Sequence, residues 1–123
     1  MMQLIPEPLR ARMLANDQNF PNDDDPIPVV KLITPDASAA WLLTEIDSDH
    51  QDRAFGLSDT GHGSPRLGYV SLSAIASIKD PRGRPVHRDH SFVPQFPLSV
   101  YLYAARRTGS ITAAEALLNG AIH

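Results

Sequence analysis

The sequence predicts a single α+β domain in which an antiparallel sheet of about four strands carries helices packed mainly on one face. Three observations lead there. Apolar residues between positions 28 and 71 come in four strand-length runs, VVKLIT, AWLLTEID, AFGLSD and LGYVS, parted by short polar breaks, the rhythm of a meander. On either side of that block apolar residues recur at three- and four-residue spacing, the period of a helix face. The chain has 123 residues, 42% hydrophobic and 20% charged, a one-domain length that hides roughly two-thirds of the surface exposed on unfolding. Its 11 prolines and 7 glycines are scattered and mark no single hinge.

The elements follow in order. A first helix is expected over 8–16, with Pro8 in its first turn, Leu9 and Met13 on one side and Asn16 as the stop. Residues 17–27 read as an acidic loop in which Asp23, Asp24 and Asp25 stand in water. The meander occupies 28–71. In its second run strict alternation puts Trp41 and Leu43 on one face with Glu45 and Asp47, and Leu42, Thr44 and Ile46 on the other. In its third run Phe55, Leu57 and Asp59 oppose Ala54, Gly56 and Ser58, a face small enough for a helix to pack closely. Ser71 caps a helix over 72–79 through Leu72, Ile75 and Ala76, and Asp80-Pro81-Arg82-Gly83 turns the chain. Residues 80–96 read as irregular. Two helices are expected over 97–119. Leu98, Tyr101, Leu102 and Ala105 stripe the first and Gly109 stops it, and Thr112 to Glu115 form a capping box for the second.

Composition excludes several chemistries. With no cysteine there is no disulfide, thiolate-bound zinc, iron–sulfur cluster or thiol nucleophile. The absence of an apolar run of ~18 residues and of a signal-like start leads to a reading as soluble, unprocessed and cytoplasmic, with no membrane contact. A net charge of −3 draws in no nucleic acid in general. Charge is uneven: residues 1–79 hold 6 Lys and Arg against 11 Asp and Glu, whereas 80–123 hold 5 against 3.

The constellations that bear chemistry are few. Glu45, Asp47 and Asp59 stand at the ends of two neighbouring strands, and if their carboxylates converge they can hold Mg²⁺ and activate a water for phosphodiester cleavage. Strand ends are equally where acidic residues meet solvent. His87 and His90, with His62 in the Gly61-His62-Gly63 loop, have zinc spacing only on a helix, which Pro85 and Pro94 oppose. No metal site and no cofactor is therefore expected. The Gly61 to Ser64 loop lacks the ending of a phosphate loop and reads as a wide turn. Asp47, Asp49, Asp52 and Asp59, with Tyr103 as an exposed ring, form a candidate surface for a basic partner protein. Arg82, Arg84 and Arg88 are the candidate phosphate contacts, with Asp80 and Asp89 among them.

Taken together, LIPEPLRARMLAN, PVVKL, TPDA, WLLTEID and AFGLSDTGHGSPRLGYVSLS resemble the bacterial family known as domain of unknown function 2958. The resemblance spans residues 4 to 108 and is most specific at Leu4-Ile5-Pro6, WLLTE and LGYVSL. It implies a protein of plasmids, integrative elements and prophages, encoded beside antirestriction and transfer genes, some members being labelled single-stranded DNA endonucleases. This chain departs from the family's Pro-Glu-Leu-Gly-Tyr and Ser-Leu-Ser-Glu at Arg66 and Ala74. The second glutamate would complete a capping box with Ser71, whereas Arg66 reverses a charge and preserves neither a metal ligand nor an acid–base role. The resulting expectation is a non-catalytic accessory protein of a mobile element that binds a host or element-encoded protein complex, such as CRISPR or restriction machinery. The rivals are a divalent-metal single-stranded DNA nuclease and a DNA-binding transfer accessory.

Overall fold

The computed structural model describes residues 4–19, 25–61 and 63–122. Helix α1 (Glu7–Asn19) precedes strands β1 (Val30–Ile33), β2 (Ala40–Ile46), β3 (Arg53–Asp59) and β4 (Arg66–Ser71); α2 (Leu72–Ala76), a short β5 (His87–Arg88), α3 (Leu98–Thr108) and α4 (Ile111–Ile122) follow. The strands form one antiparallel sheet in the order β4-β3-β2-β1-β5. The α+β class and the meander are as expected, with five strands rather than about four.

The fifth strand lies in the stretch read as irregular. Two residues carry no periodicity, and the local turn chemistry places them. The Asp80 carboxylate accepts the Arg82 and Arg84 amides, both at 2.9 Å, and the Arg84 Nε–H at 2.7 Å. The returning chain bridges Lys79 to Pro85 and then pairs His87 with Ile33 and Arg88 with Leu32.

Helices cover both faces of the sheet, not mainly one. Met13 of α1 and Ile75 of α2 pack on Val30, Leu32, Trp41, Leu43 and Ile46. Leu98, Tyr101, Ala104 and Ala105 of α3, with Ile111 and Ala114 of α4, pack on Ala40, Leu42 and Leu57. The central strand β2 is buried on both sides because apolar residues fill both of its faces, so each face requires its own cover.

Alternation along β2 breaks at Thr44. Leu43 pairs with Gly56 but Glu45 pairs with Phe55, leaving Thr44 as an extra residue in a β-bulge. Ile46 therefore joins Trp41 and Leu43 on the α1 face, and Glu45 leaves them. The buried Thr44 hydroxyl donates to the Phe55 carbonyl at 3.3 Å, and the Thr44 carbonyl accepts the Asn16 amide at 2.8 Å. Asn16 is thus a tie to the sheet rather than a stop, and α1 runs to Asn19. The room at Gly56 is taken by β2 itself and not by a helix. A Cβ there would stand 2.0 Å from the Leu42 carbonyl oxygen.

The helix starts are met partly from afar. Ser71 caps α2 as expected, accepting the Ala74 amide at 3.1 Å. At α3 the cap comes from Asp25, whose carboxylate accepts the Ser99 amide at 3.0 Å and hydroxyl at 2.6 Å; Asp23 and Asp24 lie outside the described residues. The cap of α4 is Ser110, which accepts the Ala113 amide at 3.0 Å, so the box from Thr112 is displaced by two residues and Glu115 is released for another use. Among the described residues no helix is long and apolar enough to cross a membrane.

Candidate functional site

The predicted acidic trio is divided between the two ends of the sheet. Asp59 pairs with Ala40, where β2 begins, whereas Glu45 and Asp47 lie at its other end, roughly 20 Å away at strand rise. In an antiparallel hairpin the end of one strand meets the start of the next. Asp59 is buried; its Oδ1 accepts the Gly61 amide at 3.0 Å and its Oδ2 the Ile111 amide at 2.9 Å. It anchors α4 to β3, and it leaves the proposed partner surface. Among the described residues no three His, Asp or Glu side chains stand where they can hold one metal ion.

Glu45 and Asp47 meet companions that strand spacing does not reveal. Asp17 of α1 reaches the β2–β3 turn, where its Oδ2 accepts the Ser48 amide at 3.1 Å and hydroxyl at 2.7 Å. These bonds hold the Asp17 carboxyl below its ordinary range. Glu45 is pushed upward, first by burial and then by its hydrogen bond and charge contact with Asp17 and by Asp47. Two neighbouring carboxyls resist joint ionisation, and the cost falls on Glu45. Asp47 accepts the Asp49 amide at 2.9 Å, and Asp52 accepts the Ser71 and Ser73 hydroxyls at 2.6 and 2.9 Å and the Ser73 amide at 2.8 Å.

Against this acidic end stands Arg53, 3.8 Å from Asp47 and stacked 4.4 Å over the Tyr69 ring, which meets Phe55 edge-on at 5.2 Å. Burial, and then Glu45, Asp17 and Asp47, raise the Tyr69 pKa. The bulge brings Glu45 to Tyr69 and Phe55, so strict alternation hid Asp17, Arg53 and Tyr69 from the sequence reading. Beside them lies the outer edge of the sheet, where β4 is the terminal strand and exposes Leu67 and Tyr69.

A pH dependence follows. Hydrogen bonds from Ser48, and from Ser71 and Ser73, lower the Asp17 and Asp52 carboxyls. At Asp80 and Asp89 burial pushes upward and is outweighed, by Arg84 and Arg82 in one case and by Ser91 and Lys31 in the other. Depressed carboxyls favour the folded state above the ordinary value of 3.8, and that support is lost as pH falls through the lower folded values. Thermal melting is therefore expected to fall steeply below pH of about 4. Glu45 has the opposite sign: its ionisation costs the folded state. Glu45→Gln is expected to raise Tm at pH 7 by roughly 2 °C, a gain that closes toward pH 4 as Glu45 takes up its proton. Identical melting curves at pH 7 would remove the repulsion at this site.

The predicted arginines are largely engaged. Arg84 is bound by Asp80, Arg88 Nη2 lies 2.9 Å from His90 Nδ1, and Arg82 is exposed. That contact and the extended β5 oppose joint metal ligation by His87 and His90; His62 lies outside the described residues. Tyr103 is exposed as expected, with Arg107 5.6 Å over its ring and donating to its hydroxyl at 3.2 Å.

A buried charge lies outside every predicted constellation. Lys31, 5% exposed, lies on the α3–α4 face of β1, where its ammonium contacts Asp89 at 3.2 Å and hydrogen-bonds Glu115 of α4. The three form the floor of a cleft of about 530 Å³ walled by Phe92, Val93 and Tyr101. Burial, and then the Glu115 charge, raise the Tyr101 hydroxyl's pKa against the amide bond from Gln95. The available signal was a lone lysine in the apolar run VVKLI, whose charge requires partners once the strand is covered.

A family model described as protein of unknown function, DUF2958, matches residues 4–112. No curated protein and no solved structure matches the chain.

Proposed function

The chain belongs to the DUF2958 family, and we propose that this member works without catalysis, as a cytoplasmic accessory protein of a mobile genetic element that binds and inhibits a host-defence protein complex. The supporting observation is the acidic end of the sheet. Asp17, Glu45, Asp47, Asp49 and Asp52 gather at the β2–β3 turn with Arg53 among them, next to the terminal strand β4. Carboxylates gathered about one turn offer a basic nucleic-acid-binding surface a charge pattern like that of phosphates. The adjoining edge offers main-chain groups to an added strand. The nuclease rival loses its ligand set, because Asp59 sits at the far end of the hairpin and is saturated by amides. The transfer-accessory rival loses Arg84 to Asp80.

The test is co-purification with CRISPR effector and restriction complexes. One such complex is expected to co-elute, and Asp47→Lys with Asp49→Lys is expected to weaken that association at least roughly tenfold while leaving the fold intact. The reading fails if no defence complex co-elutes and incoming DNA gains no protection in cells. Chelator-sensitive cleavage of single-stranded DNA would replace it with the nuclease.

A further inference from the structure

The geometry points to a phosphate-ester site at the turn end of the β3–β4 hairpin, built by Ser58, Thr60, Ser64 and Arg66. These four residues line a pocket of about 350 Å³. Register explains their meeting. Ser58 and Arg66 are directly paired across the two strands, which sets their Cβ atoms about 5 Å apart on one face. Thr60 lies two residues beyond Ser58, and Ser64 two residues before Arg66, so near-extended chain carries both toward that face. The glycines Gly61 and Gly63, at φ of +89° and +76°, make the turn wide without placing side chains of their own in the opening.

The donors have no side-chain partner among the described residues. Most hydroxyl side chains of the chain bond to the protein: Ser38, Ser48, Ser71, Ser73, Ser91 and Ser99 all donate to carboxylates. Ser58, Thr60 and Ser64 make no side-chain hydrogen bond among the described residues, and Arg66 makes no ion pair among them. The carboxylate of Asp59, the neighbour of Ser58 in sequence, is buried and occupied by the Gly61 and Ile111 amides. Three hydroxyls and a guanidinium fork without a carboxylate in the lining suit a tetrahedral oxyanion, which accepts several hydrogen bonds and a bidentate arginine at once. The volume exceeds that of a phosphate alone, so the group fits with a substituent attached. That phosphate belongs either to a small ester or to a nucleic-acid backbone.

The pocket lies at the end of β3 opposite the acidic turn and requires no defence complex. Its test is NMR titration of the amides from 58 to 66 with inorganic phosphate, a 5′-mononucleotide and a short single-stranded oligonucleotide at low salt, with sodium chloride as the control for bulk charge. Saturable shifts confined to this loop are expected for the phosphate ligands, and both Arg66→Gln and the pair Ser58→Ala with Ser64→Ala are expected to weaken them roughly tenfold. All four side chains are at least partly exposed, so these variants are expected to fold, as circular dichroism checks. Oligonucleotide binding that is tighter than the mononucleotide's and falls with salt identifies the backbone as the source; equal affinities identify the small ester. Shifts that never saturate, that chloride reproduces, or that Arg66→Gln leaves unchanged overturn the site.

Discussion

Gly56→Ala is expected to lower the stability of the folded chain by about 4 kcal/mol or more, a size reserved for substitutions with nowhere to relax. The added Cβ would lie 2.0 Å from the Leu42 carbonyl oxygen and 2.8 Å from the Leu43 Cα. Both are backbone atoms of the neighbouring strand, which no rotamer change can move. Relief requires β2 and β3 to part beside the Thr44 bulge, with loss of ladder bonds and of the two-sided burial of β2. Against a total of about 5–15 kcal/mol for a domain, this removes a large share, and Tm is expected to drop by roughly 15 °C. The control is at hand: Gly68 faces Gly56 across the β3–β4 pair, and a Cβ on Gly68 meets nothing within 4 Å. Gly68→Ala is expected to shift stability by less than about 0.5 kcal/mol. Two variants that melt alike would show that the strands do not approach as described.

Lys31→Met is expected to cost about 3 kcal/mol, the lower part of the range for leaving buried charge without its partner. The side chains of Asp89 and Glu115 are 21% and 18% exposed, so they keep some access to water. Methionine fills the stem's volume, and the loss isolates the ammonium. The pH dependence supplies a second readout. Lys31 helps to hold the Asp89 carboxyl below its ordinary value, so the variant's deficit is expected to shrink as pH falls and Asp89 takes up its proton. Adding Glu115→Gln to Lys31→Met is expected to recover part of the loss, and denaturation of both singles and the double gives the coupling. Strict additivity would mean that the ammonium and Glu115 do not act as a pair.

Much of the architecture was legible because apolar spacing carries it. The strand-length runs yielded the meander, and sequential pairing followed from their short connections. Ser71 and Gly109 marked helix ends through chemistry confined to one turn. What stayed hidden depends on residues distant in sequence. The bulge at Thr44 inverts the facing of Glu45 and Ile46, and periodicity assumes no extra residue. Apolar side chains on both faces of AWLL were visible, yet covering both requires helices from opposite ends of the chain. Asp25 caps α3 from 74 positions away, and Lys31 meets Glu115 across 84; neither partner is visible in any local window. The acidic candidates were half legible. Asp47, Asp49 and Asp52 share a turn as their closeness in sequence suggests, but Asp59 belongs to the opposite end, and Asp17 arrives from a helix.

The layering sets an order on synthesis. Helix α1 precedes the sheet it covers, so its side of β2 can close once Ile75 and Val86 have left the ribosome. The other side waits for α3 and α4. Until those helices emerge, a nascent chain presents Ala40, Leu42 and Leu57 uncovered, together with a lysine that has not yet met Glu115. That interval is when a chaperone has something to hold.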